Sequence, residues 1–404
     1  MSALTIDARD GAARTGRLRT AHGEVRTPAF MPVGTHATVK ALHPDEVRAC
    51  GADILLCNAY HLALRPGVDI IEQAGGLHGF MAWDGPILTD SGGFQLVSLR
   101  RVTSIEEDAA TFVSPYDGTR LRVTPEEAVR IQARLGSDIV MCLDQPAEWG
   151  GAADPAAAVI ATERTHRWAA RCRAVHPGEG RLLFGICQGG FDAATRSASA
   201  ERIAALDFDG VAVGGLSMGE PLDLMEAMTA VSVASLPADR PRYFMGLGTD
   251  SELLTMVGLG IDMFDCVAPT RLARTGTAMT PDGRLSLRRA THRDDLRPLV
   301  DGCPCPACTR FSRAYLRHLI AAGEILGHRL LTLHNVTHLS ALMAAAREAI
   351  SEGRLASFRA AIEARLPPRE SHLGAADGEV AVAPPRRSRA IDSKLIPGTL
   401  GHRG

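Results

Sequence analysis

The strongest constraint on the fold is a series of eight short apolar runs separated by longer segments with helical character. The runs are continuously apolar and do not alternate, which is typical of parallel strands buried on both faces of a sheet. They cover residues 28–34, 53–58, 86–90, 138–144, 182–188, 210–214, 242–248 and 262–266. Eight strands alternating with helices predict a (β/α)8 barrel. A doubly wound open sheet is the alternative, but no G-x-G-x-x-G motif follows the first run.

The segments between the runs carry helix and turn signals of their own. One helix is expected to begin after Thr124 as N-cap, with Pro125 in its first turn, and to stop at Gly136. Residues 111–123, after the third run, contain two β-rich pieces around an Asp-Gly pair at 117–118. This pattern predicts a β-hairpin inserted at the rim of the barrel.

The composition indicates one large folded unit with an appendage. The chain has 404 residues, of which 46% are hydrophobic and 22% charged. We expect the barrel to occupy residues 1–267 and a second region, 268–366, to pack against it. Residues 367–404 are rich in Pro, Gly and Arg without periodicity, and we expect this tail to be disordered.

The charge distribution restricts where a polyanion can bind. The formal net charge is −2, so a polyanionic partner must meet a local basic surface. Residues 268–330 provide such a segment, with 11 Arg and no Lys against 5 acidic residues, although a solvated face explains the count equally well. We find no run of roughly 18 apolar residues and no apolar signal-peptide stretch, so we expect a cytoplasmic protein with no membrane partner.

Three of the nine cysteines form a tight cluster in "DGCPCPACTR". Three thiolates and one imidazole complete a tetrahedral zinc shell. The predicted ligands are Cys303, Cys305, Cys308 and His334, with His338, His328 and His318 as alternative imidazoles. Four protein ligands leave no coordination position for water, so one structural Zn²⁺ per chain is predicted, which would fasten the basic segment to the barrel.

Polar residues stand at the ends of several apolar runs. In a (β/α)8 barrel, functional groups lie at the carboxyl ends of the strands. These ends carry Asp90, Asp144, Gln188, Gly214, Gly215, Gly246 and Asp265. Each polar group alone has a structural alternative, because it can cap a helix or bond a nearby turn. Three carboxylates and an amide at one rim favour a functional site.

Several rim motifs, taken together, resemble those of one enzyme family. They are "TDSGGFQ" (89–95), "ICQGG" (186–190), "VGGLSMGE" (213–220), "FDCVAPTR" (264–271) and the cysteine cluster with its distant histidine. Their order and spacing are similar to those of the tRNA-guanine transglycosylases, also called queuine tRNA-ribosyltransferases, from about residue 4 to 365. The resemblance implies a zinc-bearing (β/α)8 barrel that exchanges the wobble guanine of tRNA anticodons for a 7-substituted 7-deazaguanine base.

The resemblance also implies a double-displacement reaction at the ribose. Base exchange with retained configuration requires two inversions through a covalent sugar-enzyme intermediate, as in retaining glycosidases. By resemblance Asp265 is the nucleophile at C1′, and Asp90 is the general acid and base for the departing and incoming bases. Arg271 and Arg274 would hold phosphates of the anticodon loop and would position the RNA without reading its sequence.

Base recognition is implied by resemblance at the same rim. One carboxylate can accept from both N1–H and the 2-amino group of guanine, which matches Asp144. Gln188 and the Gly215 N–H match the O6 acceptor. By resemblance, Phe94 and Met245 would enclose the base. Leu216 and Glu220 would lie beside its 7-substituent.

Three residues, at two places in the chain, depart from the family pattern and bear on the accepted base. Gln145 and Pro146 stand where bacterial relatives usually carry an acid and a cysteine, and Met218 stands where they tend to have valine. The size of Met218 favours a small aminomethyl substituent over full queuine.

Two other functions and an oligomeric state are to be weighed against the sequence. A non-catalytic tRNA-binding partner subunit is disfavoured by the presence of both Asp90 and Asp265, and a nucleoside hydrolase would not need the arginine segment. Bacterial relatives are homodimers, so we expect a homodimer. Phe311, Tyr315 and His318 would form its aromatic interface unless they are buried against the barrel.

Overall fold

The structure, a computed structural model, describes residues 2–98, 103–147 and 154–366. Its strands are β1 (Leu4–Asp10), β2 (Ala13–Thr20), β3 (Gly23–Thr27), β4 (Ala29–Pro32), β5 (Leu55–Asn58), β6 (Ile87–Asp90), β7 (Thr103–Ile105), β8 (Ala110–Val113), β9 (Arg120–Val123), β10 (Ile139–Met141), β11 (Leu182–Cys187), β12 (Gly210–Val213), β13 (Arg242–Phe244), β14 (Met263–Cys266), β15 (Thr277–Thr280) and β16 (Gly283–Ser286). The predicted tail, 367–404, lies outside the described residues.

The helices follow and cover the strands in chain order. They are α1 (Pro44–Ala49), α2 (Ala59–Leu64), α3 (Val68–Gln73), α4 (Gly76–Met81), α5 (Gly93–Ser98), α6 (Pro125–Arg134), α7 (Pro155–Val175), α8 (Ala193–Ala204), α9 (Leu222–Ser235), α10 (Asp250–Gly258), α11 (Ala268–Arg274), α12 (Pro306–Arg310), α13 (Arg313–Ala322), α14 (Ile325–Ser351) and α15 (Leu355–Glu363).

Eight parallel strands form the centre of the molecule, in the order β4-β14-β13-β12-β11-β10-β6-β5. A parallel bridge between Val33 and Leu56 joins the two ends of this sheet, and the Gly34 N–H donates to the Leu56 carbonyl at 2.6 Å. The eight strands lie within the eight predicted runs, so the (β/α)8 barrel is confirmed. Their side chains are almost all buried, because helices cover the outside while side chains fill the inside.

The predicted local signals agree with the structure. Thr124 caps α6 through its hydroxyl, which accepts from the Glu127 N–H at 3.2 Å, and Gly136 adopts φ +79° just after the helix. The predicted hairpin is the antiparallel pair β8 and β9, which a third strand, β7, extends to a small sheet. This sheet lies between β6 and β10 in the chain, at the carboxyl end of β6.

Two sheets were not predicted. The antiparallel sheet β1-β2-β3 precedes the barrel and is fastened to it by a buried pair, in which Arg14 Nη2 lies 2.6 Å from Asp262 Oδ2. The hairpin β15-β16 follows α11, in a segment where the sequence showed no strand pattern. Both sheets contain many charged or polar residues, so their strands lack the continuous apolarity that marks the barrel strands.

The segment after β14 packs closely onto the barrel. The 27-residue helix α14 lies against β1, β2 and β4 as well as against α11, α12 and α13. Residues from both sides of position 267 share the same buried clusters, so the apolar core continues across that position. Within the described residues, none of the helices is both long and apolar enough to span a membrane.

Candidate active site

Three aspartates lie at the carboxyl ends of barrel strands, where Asp144 is buried and Asp90 and Asp265 are half-buried. Asp90 ends β6, Asp144 follows β10 and Asp265 lies in β14. Burial raises the pKa of both Asp90 and Asp144, and the nearby charges of Asp265 and Asp90, respectively, raise them further. The structure therefore brings the three predicted carboxyl groups within electrostatic range at one end of the barrel.

Asp90 is held by the start of the neighbouring helix α2. Its Oδ1 accepts from the Ala59 N–H at 2.9 Å and its Oδ2 from Asn58 Nδ2 at 2.5 Å. Burial raises the pKa of Asp90 to about 6, although these two donors oppose the shift. A carboxyl group with such a pKa exchanges protons close to neutrality, as a general acid and base must.

Asp265 is held by the neighbouring strand and not by the helix that follows it. Tyr243 OH donates to Oδ1 at 2.6 Å, and the Gly246 N–H donates to the same oxygen at 2.9 Å. Burial raises the pKa of Asp265, and both donors lower it again in part. Because both donors bond Oδ1, Oδ2 is left without a hydrogen bond from the described protein groups.

Asp144 and Gln188 form a buried pair across β10 and β11. Gln188 Nε2 donates to Asp144 Oδ2 at 2.6 Å, and burial raises the pKa of Asp144 to about 7. Gln188 Oε1 is buried and finds no partner among the described residues. An unsatisfied acceptor and a carboxylate with little solvation are expected where a polar ligand completes the hydrogen bonding.

Glycines at the rim allow this pair to approach the backbone. A Cβ on Gly93 would lie 1.9 Å from Asp144 Oδ1, and one on Gly215 would lie 2.2 Å from Gln188 Oε1. Gly215 also adopts φ +69°, a backbone conformation that residues other than glycine rarely adopt. The "SGG" and "VGG" motifs are therefore required by the packing around Asp144 and Gln188.

The loop after β12 is organised by Glu220, which is 3% exposed. Its carboxylate accepts from the Ser217 N–H at 2.5 Å and from the Met218 N–H at 2.8 Å. Ser217 has a positive φ of 61°, and the adjacent Leu216 is buried. Glu220 thus acts in this structure as a support for the loop that carries Leu216 and Met218.

The residues expected to enclose the base have different exposures. The Phe94 side chain is 57% exposed, whereas Met245 is half-buried against the barrel core. Gln145, next to Asp144, bonds Arg164 at 2.5 Å through its side chain. Residues 148–153 of the loop after Asp144 lie outside the described residues.

A basic group lies on the segments that follow β14 and β4. Arg271 and Arg274 both lie on α11 and are exposed. Lys40 lies in the segment after β4. Burial, and then the nearby charge of Arg274, lower the pKa of Lys40. Lys40 was not predicted as part of this group, because the sequence places it more than 200 residues from Arg271.

The predicted metal ligands form one cluster. Distances from His334 Nδ1 to Sγ are 3.8 Å for Cys303, 3.4 Å for Cys305 and 3.3 Å for Cys308. Zn–S and Zn–N bonds of roughly 2.3 and 2.0 Å in a tetrahedral shell separate sulfur and nitrogen by roughly 3.5 Å, so the donor set fits zinc. His334 Nε2 donates to the Met279 carbonyl at 2.8 Å, which leaves Nδ1 free to bind a metal.

The alternative histidines have other partners or positions. His338 bonds Asp250 at 2.8 Å, His328 contacts the Ala273 carbonyl, and His318 is exposed on α13. The prediction of His334 as the fourth member of the cluster is therefore the one that the geometry supports.

Three supporting residues were missed at the sequence level. Asn58 carried a usable signal, because it is a polar residue at the end of an apolar run, as Asp90 is. Tyr243 lies inside an apolar run, and its role depends on the register between β13 and β14. Arg196 lies on α8, where the sequence does not distinguish it from a solvated arginine, yet it is fully buried.

Comparison with known proteins gives consistent matches over most of the chain. A family model described as queuine tRNA-ribosyltransferase matches residues 9–368. A queuine tRNA-ribosyltransferase of Solidesulfovibrio magneticus is 52% identical over 366 residues, which cover 90% of this chain and 98% of the relative. Those of Desulfosudis oleivorans and Novosphingobium aromaticivorans are 52% and 51% identical, and the matches cover 88% of this chain and 93% and 96% of the relatives.

Proposed function

The chain belongs to the queuine tRNA-ribosyltransferase family, and we propose that it exchanges the wobble guanine of tRNA anticodons for a 7-substituted 7-deazaguanine base. Family membership makes it a pentosyltransferase. The observation that carries the proposal is the group of three aspartates with raised pKa, Asp90, Asp144 and Asp265, at one end of the barrel. Since its substrate would be tRNA, we expect it to act in the cytoplasm.

The chemical step that we propose uses Asp265 and Asp90 in turn. Asp265 Oδ2, the oxygen that no described protein group bonds, attacks the ribose C1′ while the C1′–N9 bond to guanine breaks. Asp90 gives its proton to the departing guanine and then accepts the N9 proton of the incoming base. That base displaces Asp265 from C1′, so both carboxyl groups return to their starting states. The raised pKa of Asp90, about 6, supports its role because the group is partly protonated near neutral pH.

Guanine recognition is proposed for Asp144 and its neighbours. The ionised carboxylate accepts from N1–H and the 2-amino group, while Gln188 Nε2 and the Gly215 N–H donate to O6. The high pKa of Asp144 in the free protein indicates that its charge lacks solvation, which the two guanine donors would supply. Phe94 and Met245 would enclose the base, and Phe94 is exposed enough to move onto it.

The tRNA backbone is proposed to lie across α11. Arg271 and Arg274 are exposed beside the end of β14, which carries Asp265, so a phosphate bound there would be close to the reacting nucleotide. Lys40 extends the same positive group. A nucleoside hydrolase acting on free nucleosides would have no use for these cations.

The metal is proposed to be a structural zinc ion held by Cys303, Cys305, Cys308 and His334. A bound zinc would supply folding energy and would take no part in the reaction, since the four ligands fill its shell. Residues 268–366 are proposed as a zinc-binding subdomain with closing helices, packed on the barrel of residues 1–267. Cys303 and Cys305 lie in the segment between β16 and α12. Cys308 lies on α12, and His334 lies on α14.

The incoming base is proposed to carry an aminomethyl group at the 7-position. Met218 follows the loop residue Leu216 and has a longer side chain than the valine of bacterial relatives, so it reduces the space for a cyclopentenediol. We expect 7-aminomethyl-7-deazaguanine to displace labelled guanine from tRNA faster than queuine does. Faster incorporation of queuine would refute this preference.

The experiment that tests the proposed function is covalent trapping. The protein, a substrate tRNA and a non-exchangeable base analogue should give an adduct that survives denaturing electrophoresis. Asp265→Asn should give none, because an amide cannot form the ester. Asp209→Asn is the matched control, since Asp209 precedes β12 at the opposite end of the barrel, where it bonds the Leu183 N–H. A wild-type protein that binds tRNA but gives neither adduct nor exchange would instead be a non-catalytic partner subunit.

We also propose that the protein is a homodimer. Tyr315 and His318 are exposed on α13, and Phe311 stacks on Tyr315 with ring centroids 5.3 Å apart. Large exposed apolar side chains continue at Ile325 and Leu326 on the start of α14. Sedimentation should show a dimer that Tyr315→Glu dissociates, and a monomeric wild-type protein would contradict the proposal.

A further inference from the structure

Arg196 is a buried cation beside the base-recognition residues. It lies in α8, its side chain is fully buried, and no ion pair joins it to a described carboxylate. Burial lowers its pKa, and interactions with Cys187 and then with Glu220 oppose that shift only in part. A guanidinium held in such a place without an ion pair is costly, so its hydrogen bonds must account for its presence.

Those hydrogen bonds reach two glycine carbonyls and one hydroxyl. Nη2 donates to the Gly190 carbonyl at 2.8 Å and to the Gly214 carbonyl at 3.2 Å, and Nε donates to Gly190 at 3.1 Å. Nη1 donates to Ser232 Oγ at 3.3 Å. One side chain therefore links the turn that follows Gln188 to the turn that precedes Gly215.

The contact with Gly214 determines the direction of a neighbouring N–H. The Gly214 carbonyl and the Gly215 N–H belong to one peptide group, which is trans, so they point in opposite directions. A cation that holds the carbonyl toward α8 turns the N–H away from α8. It also polarises the peptide group and makes the N–H a stronger donor.

Close packing also holds the turn after Gln188 against Arg196. A Cβ on Gly189 would lie 2.6 Å from the Arg196 Cα, and Gly189 has a positive φ of 134°. Both donors that we assign to the guanine O6, Gln188 Nε2 and Gly215 N–H, are thus adjacent to backbone that Arg196 holds. Glu220 supports the far end of the second turn through the Ser217 N–H.

We propose that Arg196 is a positioning residue for recognition of the base O6, an inference that rests on the proposed function of this site. It aligns the Gly215 N–H and the Gln188 amide toward one acceptor, and it does not contact the substrate. Asp144, which reads N1–H and the 2-amino group, does not contact Arg196 and is linked to it through Gln188, whose Nε2 donates to Asp144 Oδ2. Loss of Arg196 should therefore weaken the contact with O6 and leave the contact with the 2-amino group intact.

The test compares three purine bases as inhibitors of labelled guanine incorporation into tRNA. Hypoxanthine keeps O6 but lacks the 2-amino group, and 6-thioguanine keeps the 2-amino group but carries sulfur, a weak acceptor, at position 6. In Arg196→Met and Arg196→Lys we expect the inhibition constants of guanine and hypoxanthine to rise about tenfold, the loss typical of one charge-supported hydrogen bond. That of 6-thioguanine should change by less than about twofold.

The controls separate this inference from a general loss of structure. Ser232→Ala removes an Arg196 contact that does not lead to the base, so its three inhibition constants should match those of the wild type. Equal weakening of all three bases in the Arg196 variants, or no weakening, would overturn the proposal. Failure of both variants to fold would overturn it too, because Arg196 would then serve the fold alone. A wild-type protein that incorporates no guanine would refute the proposed function instead.

Discussion

Asp144→Asn is predicted to stabilise the fold above neutral pH while it removes guanine binding. Asp144 is 3% exposed and, among the described residues, has one side-chain donor, Gln188 Nε2, at 2.6 Å. Burial raises its pKa from the ordinary 3.8 to about 7. Because the folded-state pKa is raised, the ionised carboxylate opposes folding once the pH exceeds the unfolded value, and the penalty reaches its maximum above the folded value.

The size of the effect follows from the pKa. At about 1.4 kcal/mol for each tenfold change in proton affinity, ionising Asp144 costs about 4 kcal/mol of folding free energy at pH 8 and about 2 kcal/mol at pH 5.5. An amide of the same shape avoids this cost. With an unfolding entropy of about 2.1 cal/mol/K per residue over about 365 residues, Tm should rise by about 5 °C at pH 8 and about 3 °C at pH 5.5.

The assay is thermal unfolding at the two pH values, with Asp138→Asn as the matched control. Asp138 is equally buried, at the other end of β10, but His78, His22 and the Ile87 N–H outweigh the effect of burial and lower its pKa. Its ionised form therefore stabilises the fold above the unfolded pKa, and Asp138→Asn should lower Tm at both pH values. A lower Tm for Asp144→Asn at pH 8, or a gain independent of pH, would refute the reasoning.

Three further predictions concern the reaction, the RNA and the metal. Tyr243→Phe removes one hydrogen-bond donor to Asp265 and so raises the pKa of that nucleophile. The acidic limb of the pH profile of kcat/KM should therefore shift to higher pH, and activity should recover at alkaline pH. An unshifted limb would contradict this. Arg274→Ala should weaken tRNA binding and reduce the slope of log Kd against log salt by about 1, whereas an unchanged slope would exclude a phosphate contact. Cys308→Ser should reduce bound zinc below one equivalent, as measured by metal analysis. It should also lower the free energy of unfolding by on the order of 5 kcal/mol, as measured by thermal unfolding. Full zinc occupancy would exclude Cys308 as a ligand.

The barrel was predictable because its strands share one simple physical property. Strands covered by helices on one side and packed side chains on the other must be apolar throughout, and eight such runs define the ring. The sheets β1-β2-β3 and β15-β16 each expose a face to solvent or to polar neighbours, so their sequences mix charged and apolar residues. No period of apolarity distinguishes such short strands from loops.

The site was predictable to the level of individual residues where strand ends or motifs identified them. Asp90, Asp144 and Asp265 follow apolar runs, and the register of a parallel barrel brings such positions to one rim. Tyr243 and Arg196 could not be predicted in this way, because their roles depend on which atoms face each other across strands and helices. Their sequence neighbours give no indication of those contacts.

Electrostatics identifies the rim without reference to any motif. Within the described residues, the carboxyl groups with a clearly raised pKa are Asp90, Asp144 and Asp265, and in each burial is the main cause. Other carboxyl groups with shifted values, such as Asp138 and Asp295, lie beside cations or donors that lower them. Each raised pKa represents free energy that the fold loses at neutral pH, so the rest of the molecule must stabilise the rim. Carboxylates that are poorly solvated in the free protein interact more strongly with a sugar carbon or a base N–H than solvated carboxylates would. This stronger interaction with the substrate offsets the loss of folding free energy.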